Sequence, residues 1–154
     1  MKVMGTTTKT LYDTDFVEWT AHTAELLRKA RFDEVDLEHL VEEIQDLGLS
    51  ERSAVWSQLR RMLMHLVKMK IQPERKGKSW RASVVDARAE IEYKLEASPS
   101  LRRYLVENLQ AIYARAVRDA LDETGLAQQA KKLDIPKDCP YTLGQLLETD
   151  LDSL

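Results

Sequence analysis

The stretch LEHLVEEIQDLGLSERSAVWSQLRRMLMHLVKMKI, residues 37–71, decides the fold class. Its apolar residues recur at steps of three and four, the period of a helix with one buried face. Leu37, Leu40, Val41, Ile44 and Leu47 form one stripe; Val55, Leu59, Met62, Leu63 and Leu66 form a second. Between them, Gly48 reads as a helix stop and Ser50 as the cap of a new helix. The spacing therefore predicts two helices, 37–47 and 51–71, folded back as a hairpin around Leu49. Asp36 is the expected N-cap of the first, with Val35 and Leu40 at the positions of a hydrophobic staple. Pro73 forbids continuation of the second.

The same period extends outward in both directions. Upstream, residues 14–31 place Phe16, Trp19, Thr23, Leu26, Leu27 and Ala30 on one face, with Asp13 as the expected cap. Downstream, a helix over 80–96 would carry Trp80, Val84, Ala87, Ile91 and Leu95. The tetrapeptide SPSL (98–101) opens another, with Ser98 as cap and Pro99 at the first helical position. Its stripe is Leu101, Leu105, Leu109, Ile112, Ala116 and Ala120, and Gly125 stops it after Thr124. AQQAKKL (127–133) predicts a short helix. TLGQLL (142–147) predicts a last one, with Thr142 and Gln145 spaced as a capping box. The expected fold is all-α: an irregular bundle of about five main helices plus a short C-terminal helix. It would be one domain over residues 12–154, preceded by a polar, threonine-rich flexible tail at 1–11.

Several of these segments, taken in order, resemble a bacterial family known as domain of unknown function 29. They are YDTDFVEWTAHTAELLRKARFDEVD (12–36), LVEEIQDLGLSERSAVWSQLRRMLMHLVK (40–68), QPERKGKSWRASV (72–84), SPSLRRYLVENLQ (98–110), ETGL (123–126) and CPYTLGQLLETDL (139–151). The resemblance implies a small all-helical domain. It supplies no activity, cofactor or catalytic residue.

Composition limits the function classes. The 154 residues are 44% hydrophobic and 32% charged, an ordinary globular balance. The one cysteine, Cys139, cannot close an intrachain disulfide, so no oxidising compartment is required. MKVMGTTTKT at the start lacks the apolar run of a signal peptide, and no window approaches the length of a membrane span. The expected location is the cytoplasm, without membrane contact. The net charge of −3 conceals an asymmetry. Residues 13–51 hold twelve acids and three bases; residues 60–81 hold eight bases and one acid. Either the two regions neutralise each other within the fold, or the basic one meets an anionic partner.

The candidate chemistry is sparse. A carboxylate-bridged metal site in a bundle needs Glu three residues before His on two helices, and none of His22, His39 and His65 has it. No metal and no cofactor are expected. Glu42 and Glu43 point about 100° apart on a helix and cannot converge as a catalytic pair. Cys139, between Asp138 and Pro140, reads as structural. Residues 40–63 have the outline of a helix-turn-helix. However, Ile44 crowds the turn, Ser57 sits where an apolar residue is wanted, and Glu51 would face phosphates. Nucleic acid is therefore not the expected partner. One row does suggest an anion site: Arg61, His65 and Lys68 along one helix side, leading to Lys78, Ser79 and Arg81 at the start of the next helix. Catalytic residues are not evident. The pattern favours a non-catalytic binding module with a protein partner or a second copy of itself. The anion- or nucleic-acid-binding protein or enzyme built on the basic row is the alternative.

Overall fold

A computed structural model of the chain describes residues 9–154. The expected flexible tail lies, over residues 1–8, outside the described residues; Leu11 already opens a helix. Every described regular element is an α-helix or a short 3-10 turn, so the chain is all-α. It divides into two compact units, one ending at Gly48 and one beginning at Leu49.

The N-terminal unit holds α1 (Leu11–Thr14), α2 (Phe16–Arg28), a 3-10 turn (Phe32–Glu34) and the first turns of α3. Asp13 does not cap α2. Its carboxylate accepts from the Thr10 N–H at 3.1 Å and hydroxyl at 3.0 Å, closing α1. Asp15 caps α2 instead, accepting from the Glu18 N–H at 3.0 Å. The exit of α2 is tight: the Arg31 N–H reaches back to the Leu26 carbonyl at 2.9 Å. This closure puts Ala30 at φ 57°, the left-handed region that glycine occupies without a Cβ penalty. Ala30→Gly is therefore expected to stabilise this unit by about 0.5–1 kcal/mol. A higher urea midpoint in the variant would be the confirming result.

The largest departure from the expected fold is α3. It is one helix of 35 residues, Leu37–Ile71, with no hairpin at Leu49. Gly48 stops a helix only by turning left-handed, and among the described residues Gly125 alone among glycines has a positive φ. Continuing through Gly48 costs about 1 kcal/mol relative to alanine. Stopping there would leave four carbonyls at one end and four N–H groups at the other in need of partners. With no proline in the stretch to force a break, the continuous ladder wins. Asp36 does cap it, accepting from the His39 N–H at 3.3 Å.

The C-terminal unit contains the rest of α3, α4 (Lys78–Ala97), α5 (Leu101–Thr124), a 3-10 turn (Ala127–Lys132) and α6 (Leu143–Glu148). Here the predicted stripes become a core. Val55, Leu59, Met62, Leu63 and Leu66 of α3 meet Val84, Ala87 and Ile91 of α4. The α5 stripe from Leu101 to Ala120 and Leu143, Leu146 and Leu147 of α6 complete the cluster. Polar pairs fix the directions. Lys94, near the end of α4, bonds Glu51 at 2.8 Å, whereas Lys68, near the end of α3, lies over the Trp80 ring at the start of α4. The two helices are antiparallel. Arg60 bonds Asp119 at 2.6 Å and Lys68 bonds Glu123 at 2.8 Å, so α3 and α5 run in the same direction. The Tyr113 hydroxyl donates to the Pro136 carbonyl at 2.7 Å and ties the α5–α6 connection to the core. The capping box at α6 forms as expected: the Gln145 N–H reaches the Thr142 hydroxyl at 3.1 Å, and the Thr142 N–H reaches Gln145 Oε1 at 2.9 Å. Two starts are shifted. α5 is capped at Ser100 rather than Ser98, and α4 begins at Lys78 after Gly77 rather than at a Ser79 cap.

Candidate binding surface

The N-terminal unit is built differently from the C-terminal one. Of its predicted core face on α2, Trp19, Thr23 and Leu26 are buried, but Phe16, Leu27 and Ala30 are not. The α3 stripe read from the sequence as core stands open: Leu37 is 60% exposed, Val41 50%, Ile44 58% and Leu47 69%. α2 and α3 leave between them a cleft of about 430 Å3. Phe16, Trp19 and Leu27 form one wall, and Leu40, Ile44 and Leu47 the other. Two helices bury one stripe each against a common neighbour; a third element is needed to close the remaining face. The cleft is thus an open apolar surface of the lone chain rather than a closed core.

An aromatic cluster holds the cleft in shape. Tyr12 stacks on His39 at 3.9 Å between centroids and meets Trp19 edge-on at 5.0 Å. Its hydroxyl donates to Glu43 Oε1 at 2.6 Å, and this hydrogen bond pushes the phenol up to about 12. His39 Nδ1 lies 2.5 Å from the Asp36 carboxylate, which raises the imidazole above its ordinary value and holds Asp36 below its own. A raised folded pKa contributes stability that is complete below the unfolded value of about 6.5 and is lost as pH rises through the folded pKa. The depressed Asp36 contributes above its unfolded value and loses that contribution as pH falls through its folded pKa. The His39–Asp36 contribution should therefore be lost as pH rises above the unfolded histidine value of about 6.5 and through the raised folded one. His39→Gln should flatten that slope. Amide exchange of residues 36–43 against pH measures it.

The charge of the N-terminal unit is one-sided: residues 9–48 hold eleven acids and four bases. The bases Arg28 and Lys29 both pair with Glu25, and Arg31 pairs with Glu34. Glu38, Glu42 and Asp46 follow one another at steps of four along α3, on the face turned away from the cleft-lining Leu40, Ile44 and Leu47. None of the three has a cationic partner among the described residues.

The basic row lies in the C-terminal unit, where α3 and the first turn of α4 meet. Lys68 is 8% exposed, held by Glu123 and the Trp80 ring. Arg81 pairs with Asp152. Arg61 and Lys78 have no acidic partner among the described residues, and Ser79 is exposed in the first turn of α4. His65 is held below its ordinary value by burial and by the neighbouring Lys68 charge, and its Nδ1 has no hydrogen-bond partner among the described residues. The acids that meet Lys68 and Arg81 are Glu123 and Asp152, and the neighbouring Arg60 meets Asp119, all from the same unit.

Residues 11–151 match the family described as Domain of unknown function DUF29. The chain belongs to the DUF29 family. No curated protein and no solved structure matches it.

Elsewhere in this DUF29 chain, no group of three or more His, Cys, Asp or Glu side chains converges among the described residues. Cys139 is half-buried, and burial pushes its thiol up, away from the reactive thiolate. No described helix is long and apolar enough to cross a membrane. Sequence reasoning missed the cleft because periodicity marks a face for burial without saying what buries it.

Proposed function

We propose that this DUF29 domain is a non-catalytic binding module that receives a helix from a partner protein in the cleft between α2 and α3. One observation carries the reading: a stripe patterned for burial, Leu37 to Leu47, is left exposed in the lone chain. Amphipathic helices dock in such grooves through anchors at steps of three and four. The test is a photo-reactive phenylalanine analogue at Ile44, irradiated in the native host. A discrete adduct that disappears when Leu40 and Leu47 become serine supports the reading. The same label at exposed Arg118 should give no such adduct. Failure of Ile44 to cross-link would contradict the proposal.

A second reading has its own support. The His65 Nδ1 and the Arg61 head group, both without a partner among the described residues, favour an anion held by Arg61, His65, Lys68, Lys78, Ser79 and Arg81. Against it, Lys68 and Arg81 already hold carboxylates. Phosphate binding there would raise the His65 pKa, and an NMR titration unchanged by phosphate would remove this reading.

A further inference from the structure

We infer that the C-terminal unit holds a small-ligand site, a cavity that takes a free α-amino acid with a branched aliphatic side chain. The site is built from residues of that unit alone, and the inference stands independently of the binding-module reading.

The cavity has a volume of about 160 Å3 and lies between the C-terminal end of α3, α5 and the α5–α6 connection. Leu66 and Val67 of α3, Tyr113 of α5 and Ile135 of the connection supply apolar wall. The connection is pinned where it closes the cavity. The Tyr113 hydroxyl holds the Pro136 carbonyl at 2.7 Å. The Ile135 N–H reaches the Leu133 carbonyl at 2.9 Å, a three-residue turn with Asp134 at its centre. The site is therefore formed before a ligand arrives, as small-molecule sites usually are. An apolar space of about 150 Å3 accepts a ring of six carbons. The branched side chain of leucine, with its four carbons, fits within this one and leaves the polar head at the mouth.

The charges at the mouth select that head. Lys70 and Asp134 both line the cavity, and both are exposed. The Lys70 ammonium sits 4.8 Å from the Tyr141 ring centroid, which holds it in place. Neither Lys70 nor Asp134 forms a salt bridge among the described residues, with the other or with a third group. A simple carboxylate would satisfy Lys70 but meet Asp134 as a like charge. A simple amine would satisfy Asp134 but meet Lys70. A molecule with both charges on one carbon answers both, its carboxylate toward Lys70 and its ammonium toward Asp134. The apolar wall then discriminates by side chain, since glycine would leave it uncovered.

The experiment uses the full, isotope-labelled chain and four probes: leucine, glycine, isoamylamine and isocaproate. The last two are leucine without its carboxylate and without its amine. Amide NMR shifts report both place and affinity. Leucine should shift residues 66–71, 133–136 and 141 and leave those of α2 unchanged. It should bind about fivefold tighter than isoamylamine or isocaproate, the upper range of one exposed ion pair. Glycine should bind at least about tenfold more weakly than leucine. Lys70→Met should remove the preference for leucine over isoamylamine and keep that over isocaproate. Asp134→Asn should do the converse. Both side chains are exposed, so the thermal midpoint should hold in each variant.

Isocaproate or isoamylamine binding as tightly as leucine would overturn the doubly charged ligand. Preferences unchanged in both variants would overturn the roles of Lys70 and Asp134. Leucine shifts that map elsewhere, or none at about 20 mM leucine, would remove the site itself.

Discussion

Leu59→Ala is expected to destabilise the C-terminal unit by about 2–5 kcal/mol, whereas Ile44→Ala on the same helix should change stability by no more than about 0.5 kcal/mol. Both are large aliphatic residues on one face of α3, and the sequence pattern treats them alike. Leu59 is fully buried among α3, α4 and α5 side chains, so truncation removes transfer energy and leaves a cavity. Ile44 is mostly solvated, so truncation leaves no cavity. Urea denaturation of the two variants, with separate probes for the two units, measures the contrast. A loss at Ile44 comparable to that at Leu59 would mean that the lone chain already covers the cleft.

The second large effect is expected at Gly48. Proline there removes the N–H that bonds the Ile44 carbonyl and drives its ring into that carbonyl, at about 3 kcal/mol or more. Gly48→Ala should do the opposite, adding up to about 1 kcal/mol. A Cβ built at Gly48 meets nothing within 4 Å, so no steric cost offsets the gain in helix propensity. The sign of the alanine effect separates two architectures. In a continuous helix alanine stabilises. In a hairpin with a left-handed Gly48, alanine destabilises because its Cβ opposes that conformation. Thermal unfolding of the two variants supplies both numbers.

The C-terminal unit was legible from the sequence because its stripes face one another. Val55, Leu59 and Met62 of α3, Val84 and Ile91 of α4, and Leu105 and Ile112 of α5 are all buried where the period placed them. The Thr142–Gln145 capping box and the stop at Gly125 were equally plain, since each is a local motif with its own hydrogen bonds or φ. Gly48 misled because glycine followed by Leu-Ser-Glu imitates a helix end and a new cap. The balance against a break lies in the backbone hydrogen bonds of a 35-residue helix, which no local motif displays. The partners of Arg60, Lys68 and Arg81 were not legible either. Asp119, Glu123 and Asp152 stand more than fifty residues away in sequence. The cleft was half-legible: its residues were named, but as core. Where a residue patterned for burial is left exposed, local and global requirements conflict, and such conflicts collect at functional sites.

Residue-resolved amide exchange of the purified chain tests the central claim most directly. An open cleft predicts that Leu40–Leu47 exchange much faster than Leu59–Leu66, because local opening there uncovers little apolar surface. Equal protection of both sets in the chain alone would contradict the account, since the stripe would then already be covered.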